Sequence, residues 1–292
     1  MSASTATADR RRALRLAAMR GEITPLTLPE RARFALRAIA LVLTLAAFVP
    51  LHFLYRIFRY GSPFPMWFLG VAGWICGARV HRVGTPLRRD VFFIANHTSW
   101  IDILVLAGAS GTAFVAKQEL AEVPIIGWLC RLNRTVFVKR ENRMGVAEQI
   151  NDLRVALADN WSVTVFPEGT TTDNRSLLPF KTSMLSVLEP PPPGVLVQPV
   201  MLDYGAAAED IGWIGDEGGL NNARRVLGRR GSFPVRIHFL DPFAPADHRG
   251  RKAIGSKARA EIEAALIAAV GPLRDFAHTV APVRYTAPET PA

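Results

Sequence analysis

The sequence predicts an α/β protein with a mixed, largely parallel central sheet flanked by helices, preceded by an N-terminal membrane-attaching helical hairpin. Two observations support this fold class. After Arg82, short runs rich in β-branched and aromatic residues alternate with helical runs, which is the pattern of an α/β sheet. Before Arg82, the chain contains two long apolar runs surrounded by arginines. With 292 residues, 49% of them apolar, the chain can form a sizeable core.

The N-terminal part of the chain is basic, and a basic N-terminal segment is predicted over residues 1–33. The first 60 residues contain ten arginines and three acidic residues, so they contribute +7 of the formal net charge of +10. Two runs approach the ~20 apolar residues needed to cross a bilayer. In Ala38–Tyr55 only His52 can carry a charge, and in Tyr60–Ala78 no residue can. Positive charge beside apolar runs indicates an anionic membrane surface as a partner.

These two runs predict a helical hairpin over residues 34–80. Pro50 interrupts the first run, and Gly61 and Ser62 supply a turn between the runs. Basic residues flank both runs on every side, so the Lys/Arg asymmetry that fixes a crossing orientation is missing. The prediction is a hairpin dipped into one leaflet, on the cytoplasmic face of the inner cell membrane. A true crossing and two ordinary core helices are the alternatives.

An α/β domain is predicted over residues 81–275, followed by a flexible tail at 276–292. Strands are predicted at Val91–Ala95, Ala113–Ala116, Thr135–Val138, Val163–Phe166, Val195–Leu202 and Val235–Phe239, and helices near Ser99–Ala109, Ile125–Leu132, Gly145–Asn160 and Ser256–Val270. The strand VFFIA at Val91–Ala95 has too many successive apolar residues for one face to meet water, so it is predicted to be central. Its carboxyl end is then a place where ligands bind in open α/β sheets.

Polar residues gather at that carboxyl end, in the segment NHTSWID that ends at Asp102. Ser99 is a candidate N-cap, and Asp102 falls in the first turn of the next helix. On a continuous helix, positions five apart point about 140° away from each other, but a strand-to-helix turn lets His97 and Asp102 meet. Asp102 can then bind one ring nitrogen of His97 and leave the other as a base. A buried core histidine beside a helix-capping aspartate is the alternative.

The segment VTVFPEGTTTDNRSLLPFK, residues 163–181, repeats the arrangement of an apolar strand followed by polar residues. Glu168 is a carboxylate at a strand end, where it can orient a hydroxyl or a basic neighbour. Gly169 permits close backbone approach, and consecutive amides after a strand can hold an anion or a polarised carbonyl oxygen. Taken alone, the segment is also compatible with an ordinary turn.

NHTSWID and FPEGT together resemble the first and third motifs of the glycerolipid acyltransferases typified by bacterial 1-acylglycerol-3-phosphate acyltransferase, the H-x4-D family. TVFVKRENR resembles the second motif, with its arginine at Arg140, and VLVQPV resembles the fourth. The four motifs occur in the family's order and cover roughly Val91 to Leu202. The resemblance therefore implies an acyltransferase domain within residues 81–275.

This resemblance implies transfer of a fatty acyl group from acyl-CoA or acyl-carrier protein to the hydroxyl of a lysolipid. The first acceptor it suggests is 1-acylglycerol-3-phosphate, which would give phosphatidic acid. His97 would be the general base and Asp102 its orienter. The acceptor-binding residues would be Arg140, Glu168, Gly169 and Thr170. Neither a metal nor another cofactor is implied, and the sequence has no G-x-S-x-G nucleophile elbow.

The chain departs from the family pattern at two positions. The third motif usually reads E-G-T-R, but Thr171 occupies the arginine position, and Arg134 replaces the glycine expected six residues before the second-motif arginine. Loss of the guanidinium removes a bidentate phosphate contact worth about 1–3 kcal/mol. The candidate compensating cations are Arg134, Lys139, Arg175 and Lys181. Alternatively, the acceptor lacks a phosphate, as it does in the family branch that acylates lyso-ornithine lipid.

Functions of other classes fit the sequence less well. We expect no nucleic-acid partner, because the N-terminal arginines adjoin apolar runs and are not interleaved with stacking aromatic residues. A non-catalytic membrane adaptor would retain the hairpin and the fold, but it would not need an intact pair at His97 and Asp102.

Overall fold

A seven-stranded sheet forms the centre of the part of the chain that this computed structural model describes, residues 3–58, 61–138, 162–278 and 285. Its strands are β1 Ala78–Val83, β2 Val91–Ala95, β3 Ala113–Lys117, β4 Val136–Val138, β5 Ser162–Val165, β6 Leu196–Asp203 and β7 Phe233–Phe239. Their order across the sheet is β1-β7-β6-β2-β5-β3-β4. Neighbouring strands are parallel except β6 and β7. The predicted fold class, a mixed and largely parallel sheet, is confirmed.

Helices cover both faces of this sheet. They are α1 Ala3–Met19, α2 Leu28–Phe58, α3 Phe64–Ile75, α4 Ile101–Ser110, α5 Glu119–Glu122, α6 Pro124–Leu132, α7 Ala208–Ile211, α8 Gly219–Gly228 and α9 Gly250–Val270. One apolar core lies between the sheet and the α2, α3, α4 and α8 side, and a second lies under α9 and the 3₁₀ helix Thr182–Leu188. Strand β2 contributes Phe93 to the first core and Phe92 to the second, and all five of its residues are buried. The prediction that β2 is central is confirmed.

The second helix of the predicted hairpin is fixed to the α/β domain. Helix α3 packs along α4, and at Gly70 and Gly108 their backbones approach so closely that a Cβ on Gly108 would lie 2.5 Å from the Gly70 Cα. A side chain at Gly108 would therefore force the two helices apart. This contact positions α4, the helix that carries Asp102.

The predicted interruption at Pro50 is wrong, because α2 continues through that residue from Leu28 to Phe58. Proline removes one backbone hydrogen bond from a helix, but ring contacts with α3 hold α2 on both sides of it. Phe48 and Tyr55 each pack edge-on against Phe64, with ring centroids 6.0 Å apart. Among the described helices, α2 is long and apolar enough to cross a membrane, judged by length and composition alone.

Strand β1 was not predicted. Its sequence, ARVHRV, is mostly exposed, and it pairs with β7 at the edge of the sheet, so its residues lack the apolar pattern of a central strand. The predicted helix over Gly145–Asn160 lies outside the described residues. The predicted strand Val91–Ala95 matches β2 at both ends, and the other five predicted strands differ from those observed by one or two residues at their ends.

Candidate active site

Three parallel strands place the candidate site at one edge of the sheet. β2 lies between β5 and β6, so the residues that follow the carboxyl ends of these strands come together. The side chain of Asn96, directly after β2, donates to the Leu202 carbonyl of β6 at 3.0 Å and accepts the Leu202 N–H at 2.7 Å. Asn174, in the segment after β5, donates to the same carbonyl at 2.7 Å and accepts the Tyr204 N–H at 2.9 Å. Two asparagines thus bind the three strand ends to one another.

The turn between β2 and α4 brings His97 to Asp102, as its spacing predicts. His97 Nδ1 lies 2.7 Å from Asp102 Oδ2. The same carboxylate oxygen accepts the backbone N–H groups of Thr98 at 2.7 Å and Ser99 at 2.9 Å. Asp102 therefore satisfies the start of the helix, where Ser99 was the candidate N-cap; helix α4 begins only at Ile101, and its N-cap position, Trp100, makes no side-chain cap bond.

Tyr204 is a further partner of Asp102 that the sequence did not reveal. Its hydroxyl donates a short hydrogen bond to Asp102 Oδ1, and both side chains are fully buried. Burial and the adjacent carboxylate raise the pKa of Tyr204 well above its usual range, so the phenol keeps its proton and acts as a donor. Asp102 thereby has hydrogen bonds on both oxygens.

These contacts occupy one of the two ring nitrogens of His97. Because an ionised carboxylate only accepts hydrogen bonds, Nδ1 carries the proton and Nε2 of the neutral ring has the free lone pair. Nε2 makes no hydrogen bond to any residue in the described part of the chain. The ring stacks on Phe166, with centroids 4.1 Å apart and planes inclined by 15°, and its side chain is 19% exposed. The imidazole is held in one orientation with an accessible basic atom.

The turn after β5 directs its carboxylate into the protein. Glu168 is buried; its Oε1 accepts the His97 N–H at 2.8 Å and its Oε2 accepts the Leu178 N–H at 2.9 Å. Burial raises the pKa of Glu168 to about 8, against the opposing effect of these two N–H groups, and the Asp102 carboxylate raises it further. Glu168 therefore supports the backbone at His97.

The outer part of this turn is more open. Gly169 adopts a left-handed conformation with φ +75°, and a Cβ there would lie 2.9 Å from Lys181 Nζ, so the lysine side chain crosses over the glycine. Thr170 is exposed. The Thr171 hydroxyl donates to the Trp213 carbonyl. At the surface of the turn, Lys181 is thus the cation nearest to Gly169 among the described contacts.

Comparisons with known proteins place this chain in a family. A family model described as acyltransferase matches residues 79–203, from β1 to the end of β6. A lyso-ornithine lipid O-acyltransferase of Rhodobacter capsulatus is 32% identical over 258 residues, covering 83% of this chain and 93% of the relative. The chain belongs to the acyltransferase family.

A second relative agrees with this acyltransferase assignment, and a solved structure agrees with the fold. A lyso-ornithine lipid O-acyltransferase of Rhizobium meliloti is 38% identical over 199 residues, covering 63% of this chain and 68% of the relative. Among solved structures, the 1-acyl-sn-glycerophosphate acyltransferase PlsC of Thermotoga maritima matches with a TM-score of 0.58, at 22% identity over 81% of this chain and 96% of that one. The latter likeness shows the fold alone, and together the comparisons confirm the predicted resemblance.

The remaining residues that the motifs single out in this acyltransferase have different positions. Arg140 and Lys139 lie outside the described residues. Arg175 donates to the Val270 carbonyl at 3.1 Å, at the end of α9. Arg134 is exposed and left-handed, with φ 55°. Within the described residues, the structure brings Lys181 against the third-motif turn.

Proposed function

We propose that this acyltransferase moves a fatty acyl group from a thioester donor to the hydroxyl of lyso-ornithine lipid. The observation that carries the proposal is the His97–Asp102 pair, a base held in one tautomer with an accessible ring nitrogen. The Rhodobacter capsulatus relative, matched over 93% of its length, supports this choice of acceptor. Lysophosphatidate is the second candidate, favoured by the cation Lys181 beside the third-motif turn.

In the proposed reaction, His97 Nε2 takes the proton of the acceptor hydroxyl as its oxygen attacks the carbonyl carbon of the thioester. A C–O bond forms, and the tetrahedral intermediate then breaks its C–S bond. The departing thiolate takes the proton from His97, which gives a free thiol and the acylated lipid. Asp102 stays ionised and stabilises the imidazolium between these two proton transfers.

The surroundings of Thr171 support an acceptor without a phosphate. A threonine hydroxyl bonded to the Trp213 carbonyl cannot replace a guanidinium that binds two phosphate oxygens. Ornithine carries a carboxylate and an ammonium group instead of a phosphate. A single lysine ammonium is a point charge with three donors, and it suits one carboxylate. In this proposal Lys181 and the exposed Thr170 meet the acceptor headgroup, while Glu168 holds the turn in place from beneath.

The proposal includes attachment to the cytoplasmic face of the inner membrane through α2 and α3. Large apolar side chains of α2 are exposed along its whole length: Leu36, Ile39, Val42, Leu43, Leu54, Ile57 and Phe58. Burying such a surface in lipid is favourable, and arginines at its end suit anionic headgroups. Full-length protein is expected to sediment with membranes and to need detergent for release. Recovery in the soluble fraction without detergent would contradict this attachment.

The acceptor is tested with purified protein in neutral detergent micelles. Labelled acyl-CoA and acyl-carrier protein are supplied in separate reactions with lyso-ornithine lipid, lysophosphatidate or lysophosphatidylcholine, and the products are identified by mass spectrometry. We expect kcat/KM for lyso-ornithine lipid to exceed that for lysophosphatidate by about tenfold, the effect of one lost charge-assisted contact. The reverse order would establish the second candidate. Absence of transfer to every lysolipid from both donors would refute the proposed function.

A further inference from the structure

An arginine-rich cavity lies away from the His97 turn, between α1, the start of α2 and helices α7 and α8. Its volume is about 390 Å³, within the range of small-molecule sites. Seven arginines and three acidic residues line it, so its described lining has an excess of four positive charges. Four of the ten arginines in the first 60 residues, at positions 10, 11, 15 and 33, line this cavity.

The inner wall of the cavity is held together by ion pairs. Glu217 is buried and binds Arg15 at 2.9 Å and Arg225 at 3.0 Å. Arg229 binds Asp210 at 3.0 Å. These ion pairs hold α1 against α7 and α8. They also neutralise the nearby negative charges. Burial is the main cause that lowers the pKa of Arg15 to about 10, and the neighbouring Arg225 lowers it further.

The mouth of the cavity retains uncompensated cations. Arg11 and Arg230 are exposed lining residues, and in the described part of the chain neither side chain has a hydrogen bond or an ion pair. In the same described part of the chain, Arg10 makes a 3.9 Å contact with Glu30. Guanidinium groups converging on one opening form a site for an anion with several oxygens, such as a phosphate group.

Exposed apolar side chains beside the lining segments favour a lipid headgroup as the anion that this site binds. Ile23 and Leu28 flank the lining residues 24–26 and are 73% and 79% exposed, and Leu220, on α8, is 75% exposed. Leu28 also begins α2, the candidate membrane helix. Exposed apolar groups beside arginines are the chemistry of a protein surface that meets lipid headgroups.

We propose that this cavity is a second lipid site, which binds the phosphate group of an anionic phospholipid at the membrane surface. This inference does not depend on which lysolipid is acylated, and it concerns a lipid that the protein binds without acylating it. A phosphatidylglycerol headgroup supplies the required single negative phosphate, whereas the added cation of phosphatidylcholine opposes the arginines.

The test uses a double variant, Arg11→Ala with Arg230→Ala. These two arginines have no described partners, so their removal leaves the fold intact. Arg15 and Arg225 are unsuitable, because Glu217 also binds Asn222 at 2.8 Å, and Asn222 accepts the Trp100 indole N–H at 2.9 Å next to the catalytic turn. The control is Arg249→Ala with Arg274→Ala, which removes the same charge from exposed positions at the two ends of α9, on the other face of the sheet.

Binding is measured by titrating full-length protein in neutral micelles with short-chain phosphatidylglycerol, short-chain phosphatidylcholine or inorganic phosphate. We expect phosphatidylglycerol to bind best and the Arg11/Arg230 variant to bind it roughly 30-fold more weakly, the effect of two arginines near an anionic surface. The Arg249/Arg274 variant should bind like the wild type. Acyl transfer in neutral micelles, measured separately, should be unchanged in both variants, so failure of this inference is distinguishable from failure of the proposed function.

Several results would overturn the inference. Equal losses in the two double variants would show unspecific attraction to net charge, and no loss in either would show that the cavity does not bind the lipid. Inorganic phosphate binding as tightly as phosphatidylglycerol would identify a site for the free ion. Displacement of phosphatidylglycerol by acyl-CoA or acyl-carrier protein at lower concentration would identify a donor-binding site.

Discussion

The turn after β2 and the turn after β5 have the same arrangement in sequence but make different contacts. After β2, the side chains of His97, Asp102 and Tyr204 bond to one another and leave Nε2 of the histidine accessible. After β5, both oxygens of Glu168 are occupied by backbone N–H groups, one of them that of His97. A carboxylate beside such a turn can therefore orient a reactive group while it binds the backbone, as Asp102 does, or bind backbone N–H groups alone among the described contacts, as Glu168 does. The difference lies in which donors reach its oxygens.

The largest effect is expected from the first turn. His97→Ala removes the proposed base, so kcat should fall by at least the ~10²–10⁴ typical of general-base catalysis, with little change in thermal stability. Asp102→Asn should also be severely impaired, because its amide can donate to Nδ1 and favour the wrong tautomer. Product formed per mole of folded enzyme is the measurement. Near-normal transfer by His97→Ala would remove the proposed mechanism.

A substitution in the turn after β5 should mainly lower stability, whereas a substitution in the turn after β2 should mainly lower activity. Glu168→Gln places an NH₂ group against one of two backbone N–H donors, so the free energy of unfolding should fall by about 1–3 kcal/mol. Activity should decline less than in His97→Ala. Thermal unfolding and kcat are measured in the same detergent. A variant that is fully stable but inactive would make Glu168 a direct participant and remove the contrast between the two turns.

The raised pKa of Glu168 also gives the wild type a pH dependence with a definite sign. The folded protein holds this proton up to about pH 8, whereas an unperturbed glutamate releases it near 4.5. Between these values the folded state binds more protons than the unfolded state, so stability falls as pH rises. In Glu168→Gln this contribution should disappear. An equal decline in both proteins over that pH window would assign it to other groups.

A smaller effect is expected at Tyr204. Tyr204→Phe removes a hydrogen bond from Asp102, so more of its negative charge acts on His97 and favours the protonated ring. The acidic limb of the pH–rate profile should move to higher pH by about 0.5–1 unit, the equivalent of one hydrogen bond. Tyr55→Phe, on α2, is the control. A uniform loss of rate with an unmoved limb would indicate that Tyr204 is only a packing residue.

The smallest effect belongs to the outer surface of the second turn. Lys181→Ala should raise KM for the acceptor about three- to tenfold with kcat nearly unchanged, because one exposed charge-assisted contact is lost. Lys252→Ala, an exposed lysine on α9, is the matched control. If KM stays constant and kcat falls, Lys181 acts on the reaction and not on acceptor binding.

Local patterns in the sequence predicted much of this molecule. The apolar run at Val91–Ala95 was sufficient to place β2 at the centre of the sheet, and H-x4-D across a strand-to-helix turn was sufficient to bring His97 to Asp102. Both inferences depend on residues close together in the chain. Strand β1 was not predicted because edge strands can carry charged side chains, as β1 does at Arg79 and Arg82.

Contacts between distant segments could not be predicted in this way. Tyr204 reaches Asp102 across 102 positions only because β6 lies beside β2. Arg15 meets Glu217 across 202 positions, so the sequence suggested a basic surface where the structure has a walled cavity. Pro50 was misjudged for a related reason: packing on α3 outweighs the local preference of proline.

The two asparagine contacts at the Leu202 carbonyl cannot form during synthesis until β6 has been made. Asn96 and Leu202 are 106 residues apart, and Asn174 also needs this carbonyl. At about 5–20 residues per second, the ribosome needs roughly 5–20 s to make the intervening chain. Throughout that interval the apolar strand VFFIA has no β6 neighbour, and unpaired strand edges are prone to aggregation. The arrangement of His97 and Asp102 beside β6 is therefore completed late in translation, after β6 has emerged.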